Sequence, residues 1–130
     1  MSNTKCLLPI LKYGAILLVI DMIYLHLISG YFGQMIRKIQ GAPMRVKMLP
    51  AAIDYLLIIG AWFFFIYQDR AKHSEKETIM RAALLGFFIY GIFDMTNLAI
   101  IEKYQWDLAI IDSIWGGVLF AVSTAFFFRF

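Results

Sequence analysis

Four aspartates stand inside apolar stretches of this 130-residue chain: Asp21, Asp54, Asp94 and Asp112. An aspartate at mid-membrane depth costs roughly 2.5–3.5 kcal/mol on insertion scales, so each must be satisfied by other protein groups. Ionisable side chains in such places relay protons, hold cations or contact substrates. The neighbouring residues suit that chemistry. Tyr90, Asp94 and Asn97 are spaced i, i+4, i+7 and share one helical face. Asp112, Gly116, Leu119 and Ser123 share another, with Trp115 one turn past Asp112. Asp21 and Tyr24 are neighbours at i, i+3, and His26 follows closely. Phenolic hydroxyls and the Asn97 amide are good donors to a carboxylate in dry surroundings.

The candidate ion-, proton- or substrate-binding residues are therefore Asp21, Tyr24, His26, Asp54, Tyr90, Asp94, Asn97, Asp112 and Trp115. Basic residues do not balance the acids. Only Lys12 and Arg81 are cationic within the apolar runs, and both lie near the opposite membrane face, where their heads reach water. His26 alone offsets one acid. Carboxylates crowded together cannot all stay ionised, so they share protons or hold a cation. Carboxylate, amide and backbone oxygens suit calcium, magnesium or sodium better than zinc, and the pattern specifies no one metal. Taken singly, Asn97 or Tyr90 reads as interhelical glue. Four acids at one depth read as a functional site.

These residues need membrane helices to position them. Hydrophobic residues make up 62% of the chain and charged ones 16%, against roughly 45–50% and 25% in soluble domains. Mean hydropathy is +0.73. That balance excludes a water-soluble enzyme domain, a disordered chain and a disulfide scaffold. The fold class is all-α: an integral, multi-pass bundle of four transmembrane helices in a single domain, 1–130. The spans cover roughly 7–29, 48–67, 79–101 and 108–128, each near the ~20 residues a bilayer requires. Pro9 and Pro50 fall in first turns, where a missing amide proton costs little.

Between the first two spans, Tyr31, Phe32, Met35, Ile36 and Ile39 fall opposite Gln34, Arg37, Lys38 and Gln40. This pattern predicts a short interfacial helix on the membrane surface. Depth counting then gathers the acids. Asp21 lies about eight residues before its span ends, roughly 12 Å deep. Asp54, Asp94 and Asp112 lie at broadly similar depth beneath that same face, with His26 and Asn97. The opposite half reads as nearly pure Leu, Ile, Phe and Ala. Trp62 reads as packing and Trp106 as an interfacial anchor.

Net charge is +3, carried in the connectors, and calls for no nucleic-acid partner. The lone Cys6 forms no internal disulfide, and with His26 and His73 it gives no zinc spacing. The sequence carries no cofactor motif and no recognised catalytic one. Lys5, Lys12, Arg70, Lys72, Lys76, Arg81 and Arg129 share one side with both termini, against Arg37, Lys38, Arg45, Lys47 and Lys103 on the other. The majority predicts cytoplasmic termini.

The chain also resembles a family of small predicted membrane proteins known as a domain of unknown function, found mainly in bacteria and also in large DNA viruses. The resemblance spans nearly the whole sequence. It is carried by Asp21-Met22-Ile23-Tyr24, by Tyr55 and Gly60, by Asp94-Met95-Thr96-Asn97-Leu98-Ala99 and by Asp112-Ser113-Ile114-Trp115-Gly116. Tyr24 stands where that family has Trp, and Phe93 where it has Tyr. Asp54 occupies a position usually apolar there, which sets it apart from a shared site. The resemblance implies a four-helix integral membrane protein and no particular activity.

Three functions fit these residues. The first is a small transporter or ion/proton-conducting protein that uses the Asp layer for protons or hard cations, enclosed by a homodimer in the bilayer. The others are a structural or assembly protein, and a membrane-embedded lipid-modifying enzyme or accessory subunit with acid–base groups from Asp94, Asn97 and Asp112. The transporter reading leads.

Overall fold

The computed structural model describes residues 3–130, with side chains from Lys5 onward. Among the described residues, four helices are long and apolar enough to cross a membrane: α1 (Asn3–Gln40), α2 (Met48–Phe65), α3 (Glu75–Ile100) and α4 (Trp106–Arg129). A short 3-10 helix, Tyr67–Lys72, follows α2, and no strand occurs among the described residues.

The interfacial helix expected between the first two spans does not form as a separate element. Residues 30–40 continue α1 without a break, giving a 38-residue helix about 57 Å long at 1.5 Å per residue. Nothing between Ser29 and Gln40 stops it, since Gly30 and Gly33 keep helical geometry and the region lacks proline. Its apolar stripe has a protein partner instead of lipid. Phe32, Met35, Ile36 and Ile39 pack against Tyr104, Leu108 and Ala109 at the α3–α4 turn. The Gln105 amide donates to Met35 Sδ at 3.3 Å, and Lys103 Nζ to the Lys38 carbonyl at 3.3 Å. The helix ends at Gly41, whose φ of +70° supplies the left-handed residue that terminates helices, and its amide donates to the Arg37 carbonyl at 2.9 Å. Pro9 accordingly lies inside α1 and not in its first turn. Pro50 does sit in the first turn of α2.

The entry to α3 follows from Ser74-Glu75-Lys76-Glu77. Ser74 Oγ accepts from the Glu77 amide at 3.1 Å, and the two acids favour the positive end of the helix.

In space the helices form a curved row in the order α2, α1, α4, α3. α1 packs on α2 and α4, and α3 packs on α4 most extensively; α2 and α3, at the ends, make no comparable contact. The α3–α4 seam is close because of glycine. A Cβ at Gly86 would strike the Gly116 carbonyl oxygen and Phe120, and one at Gly116 would strike the Tyr90 ring and the Gly86 carbonyl. Small residues let membrane helices approach in this way. Leu56, Leu57, Phe64, Phe88, Ile92 and Ile114 point outward from the bundle.

The half of the bundle remote from the α3–α4 turn is not purely aliphatic. The Tyr13 and Trp62 rings stack at 3.7 Å and 6°, with Phe127 edge-on to Trp62 at 5.1 Å. Trp62 Nε1 donates to Thr124 Oγ1 at 3.0 Å, and Thr124 donates on to the Phe120 carbonyl at 2.6 Å. Leu17, Leu119 and Phe120, all fully buried, complete a plug across α1, α2 and α4.

The glycine seam yields a graded test. Gly116→Ala should lower stability by about 1–3 kcal/mol, the usual cost of overpacking. Gly60→Ala, where a Cβ meets nothing within 4 Å, should be neutral or slightly stabilising. Thermal unfolding of the two variants in detergent measures both, and equal effects would contradict the close α3–α4 approach.

Candidate functional site

Asp21 is the centre of the polar layer. It is buried on α1, yet both its oxygens are satisfied. Oδ1 accepts from Trp115 Nε1 of α4 at 2.9 Å, and Oδ2 accepts from the Tyr55 hydroxyl of α2. Trp115 lies flat on Tyr24, with centroids 4.4 Å apart and planes 4° from parallel. Tyr24 is one helical turn beyond Asp21, so its hydroxyl reaches the next carboxyl along α4, Asp112 Oδ1, at 3.1 Å.

Asp112 in turn meets Asp94 of α3, side chain to side chain. Asp94 is fully buried. Its Oδ1 accepts from the Tyr104 hydroxyl at 2.8 Å, while Ser113 Oγ approaches Oδ2 at 3.5 Å and donates more closely, at 2.7 Å, to the Ala109 carbonyl. Tyr104 stands in the α3–α4 turn, outside the membrane helices, with the Asn97 side chain nearby. Burial pushes the Tyr104 phenol above its ordinary range; Asn97 draws it back and the Asp94 carboxylate adds to the rise. The hydroxyl therefore stays protonated at neutral pH.

A cavity of about 450 Å³ opens sideways between α2 and α3, where the row of helices fails to close. Asp21, Asp54, Asp112, Tyr24, Tyr55 and Tyr90 contribute its polar wall, and Leu25, Ile58, Ile89 and Phe93 line it too. The carboxyls meet no cation. Among the described residues the ion pairs join Lys72 to Asp69, His73 to Glu77 and Arg129 to Glu75, all at the other end of the molecule. Nor do the described residues group three or more His, Cys, Asp or Glu side chains in an arrangement that could hold a metal ion.

The candidates divide clearly. Asp21, Tyr24, Asp112 and Trp115 join one network through hydrogen bonds and stacking, with Asp94 behind Asp112. Tyr90 lines the cavity and packs on Gly116. Asn97 reaches Tyr104 and not a carboxylate. Asp54 is exposed at the cavity edge, makes no hydrogen bond or ion pair among the described residues, and lies near Asp21. His26 is exposed and stands outside the network. Five residues at about 100° each put it some 140° around α1 from Asp21, so it cannot offset that acid. Tyr55 and Tyr104 are the donors to the acid layer that residue patterns alone did not select. Tyr55 adjoins Asp54, and the inward member of that pair proved to be the tyrosine. Tyr104 stands ten positions after Asp94 in a connector too short to leave the membrane surface, which is the signal that could have found it.

With this geometry in place, comparison with known proteins gives one informative result. A family model described as predicted membrane protein (DUF2177) matches residues 6–128. No curated protein and no solved structure matches the chain. The match covers almost the full length, and it takes in all four helices and every residue of the polar layer. This chain belongs to the DUF2177 family of predicted integral membrane proteins, a family of unknown function.

Proposed function

We propose that this protein is a small transporter or proton-conducting protein, in which the sideways cavity receives the transported species and Asp112, Asp94 and Tyr104 relay protons to the membrane surface. One observation carries the reading: Asp112 lines the cavity beside the fully buried Asp94, and Asp94 accepts from Tyr104, itself buried, in the turn that joins α3 and α4. Two adjacent carboxylates at 4 Å would repel by about 4 kcal/mol at an effective dielectric of 20. With no cation among them, a proton held between the pair removes that repulsion. A hydroxyl both donates and accepts, so Tyr104 passes a proton by rotating rather than by ionising.

The plug around Tyr13, Trp62 and Thr124 closes the opposite half, so the relay reaches only one face in this conformation. A second copy of the chain, set across the α2–α3 opening, would seal the cavity from lipid. The structural reading remains the competitor, because the same hydrogen bonds also specify packing.

Proton flux separates the two. Proteoliposomes carrying the protein under a pH gradient should dissipate it, and Asp112→Asn should cut the protein-dependent flux at least tenfold. Tyr104→Phe, which loses the relay hydroxyl and keeps the ring, should cut it by a similar factor. Asp54→Asn should change it little. Flux that is absent in the unaltered protein, or indifferent to both relay substitutions, would leave packing as the function of the layer.

Asp21 is assigned a positioning role, and its test is stability. Trp115→Phe and Tyr55→Phe each strip one donor from a buried carboxylate, at a cost of about 1–3 kcal/mol. Thermal unfolding in detergent should show both losses, while Asp54→Asn, with no hydrogen bond to lose, should unfold like the parent protein.

A further inference from the structure

A second cavity, of about 520 Å³, lies at the other end of the molecule between the start of α1 and the turn after α2. Lys5 is 16 residues before Asp21, about 24 Å along α1, so this cavity has no part in the acid layer. Lys5, Gln68 and Arg70 stand at its rim, above Leu8, Phe63 and Tyr67. We propose that it binds an anionic phospholipid, with the phosphodiester between Lys5 and Arg70 and an acyl chain along Leu8 and Phe63.

Charge pairing supports the headgroup end. The three acids of this face are already engaged: Asp69 with Lys72 at 3.5 Å, Glu75 with Arg129 at 3.7 Å and Glu77 with His73 at 3.1 Å. Lys5 and Arg70 take part in no ion pair among the described residues. Arg70 is also held in place. Its Nη1 donates to the Tyr67 carbonyl at 2.8 Å and its guanidinium lies 3.7 Å over the Tyr67 ring. One donor of five is used, which leaves four of the planar fork for phosphate oxygens. A side chain ordered in advance loses less freedom on binding.

The apolar wall identifies the source of the phosphate. Leu8 is 62% exposed and Phe63 is half-buried. Both sit on transmembrane helices, directly below the cationic rim. A soluble anion has no use for that wall, whereas a lipid places its chain there and its headgroup at the interface. Basic pockets beside membrane helices bind anionic headgroups for this reason.

The test is binding of a fluorescent phosphatidylglycerol to the full chain in neutral detergent, with phosphatidylcholine as the comparison lipid. Phosphatidylglycerol should bind several-fold more tightly. Arg70→Gln and Lys5→Gln should each weaken it about fivefold, the effect of one interfacial charge, and Arg70→Lys should fall between. Lys76→Gln removes an equally exposed cation of the same face outside the cavity and should leave binding within about twofold. Equal weakening by Lys76→Gln would overturn the proposal in favour of diffuse surface charge. Displacement by millimolar inorganic phosphate, together with no effect of Leu8→Ser, would overturn it in favour of a free-anion site. Thermal unfolding checks that each variant is folded, and should Arg70→Gln fail there, Lys5→Gln decides.

Discussion

A carboxylate buried among apolar helices must find its donors within the protein, and the helix arrangement here follows from how Asp21 does so. Its two oxygens take one donor from α2 and one from α4. Those bonds fix the register of α1 against two neighbours at a single level. Once Asp21 faces Trp115, helical geometry puts Tyr24 one turn on and Asp112 one turn back along antiparallel α4, and these two also bond. Sliding α1 by one residue would turn both carboxyl contacts away by about 100°. Hydrophobic burial offers no comparable discrimination in a bilayer, where lipid tails are as apolar as the helix faces.

The remaining contacts distribute unevenly around this register. α3 and α4 are zipped by glycine at close range, and Asp94 is sealed between them. α2 is held to α1 chiefly at two levels, by Tyr55 on Asp21 and by Trp62 on Tyr13. Between α2 and α3 nothing comparable forms, because α2 presents Ala51, Asp54 and Ile58 toward the gap and α3 presents Ile89, Tyr90 and Phe93 across it. The cavity is thus the unclosed end of a helix row. Apart from Asp54, its polar wall consists of side chains that also pack or bond the helices of the row together.

Apolar run lengths made the four helices legible, and counting residues from each run's end made the common depth of the acids legible. Choice of partner was not, because it depends on rotation about each helix axis. At Asp54-Tyr55 the sequence offers an acid and a phenol 100° apart, and only the position of Asp21 selects the phenol for the interior. His26 fails for the same reason, standing about 140° from the acid it was expected to offset. The stripe of Phe32, Met35 and Ile36 was recognised as apolar, but periodicity does not say whether lipid or protein covers it. Here the α3–α4 turn does, and the covering keeps α1 straight past the membrane surface. Thr124 was hidden because a threonine amid Phe and Ala reads as tolerated until an indole N–H is found aimed at it.

The two halves of the bundle use the same device to different ends. Each has a tryptophan stacked on a tyrosine of α1, with its Nε1 donating across the helix interface: Trp62 on Tyr13 and Trp115 on Tyr24. The acceptor differs. Trp62 meets the hydroxyl of Thr124, which is itself spent on the Phe120 carbonyl, so that chain of donors ends in backbone and carries no exchangeable charge. Trp115 meets a carboxylate, and a bond to an ionised group is about twice as strong as a neutral one. Near Asp21 stand two further carboxyls of the cavity wall, Asp54 and Asp112. The half built on Thr124 is consequently a packed plug. The half built on Asp21 keeps its framework bonds on Asp21 and leaves Asp112 to line the cavity, with Asp94 sealed behind it between α3 and α4, so a polar wall stands here where the other half has only packed rings.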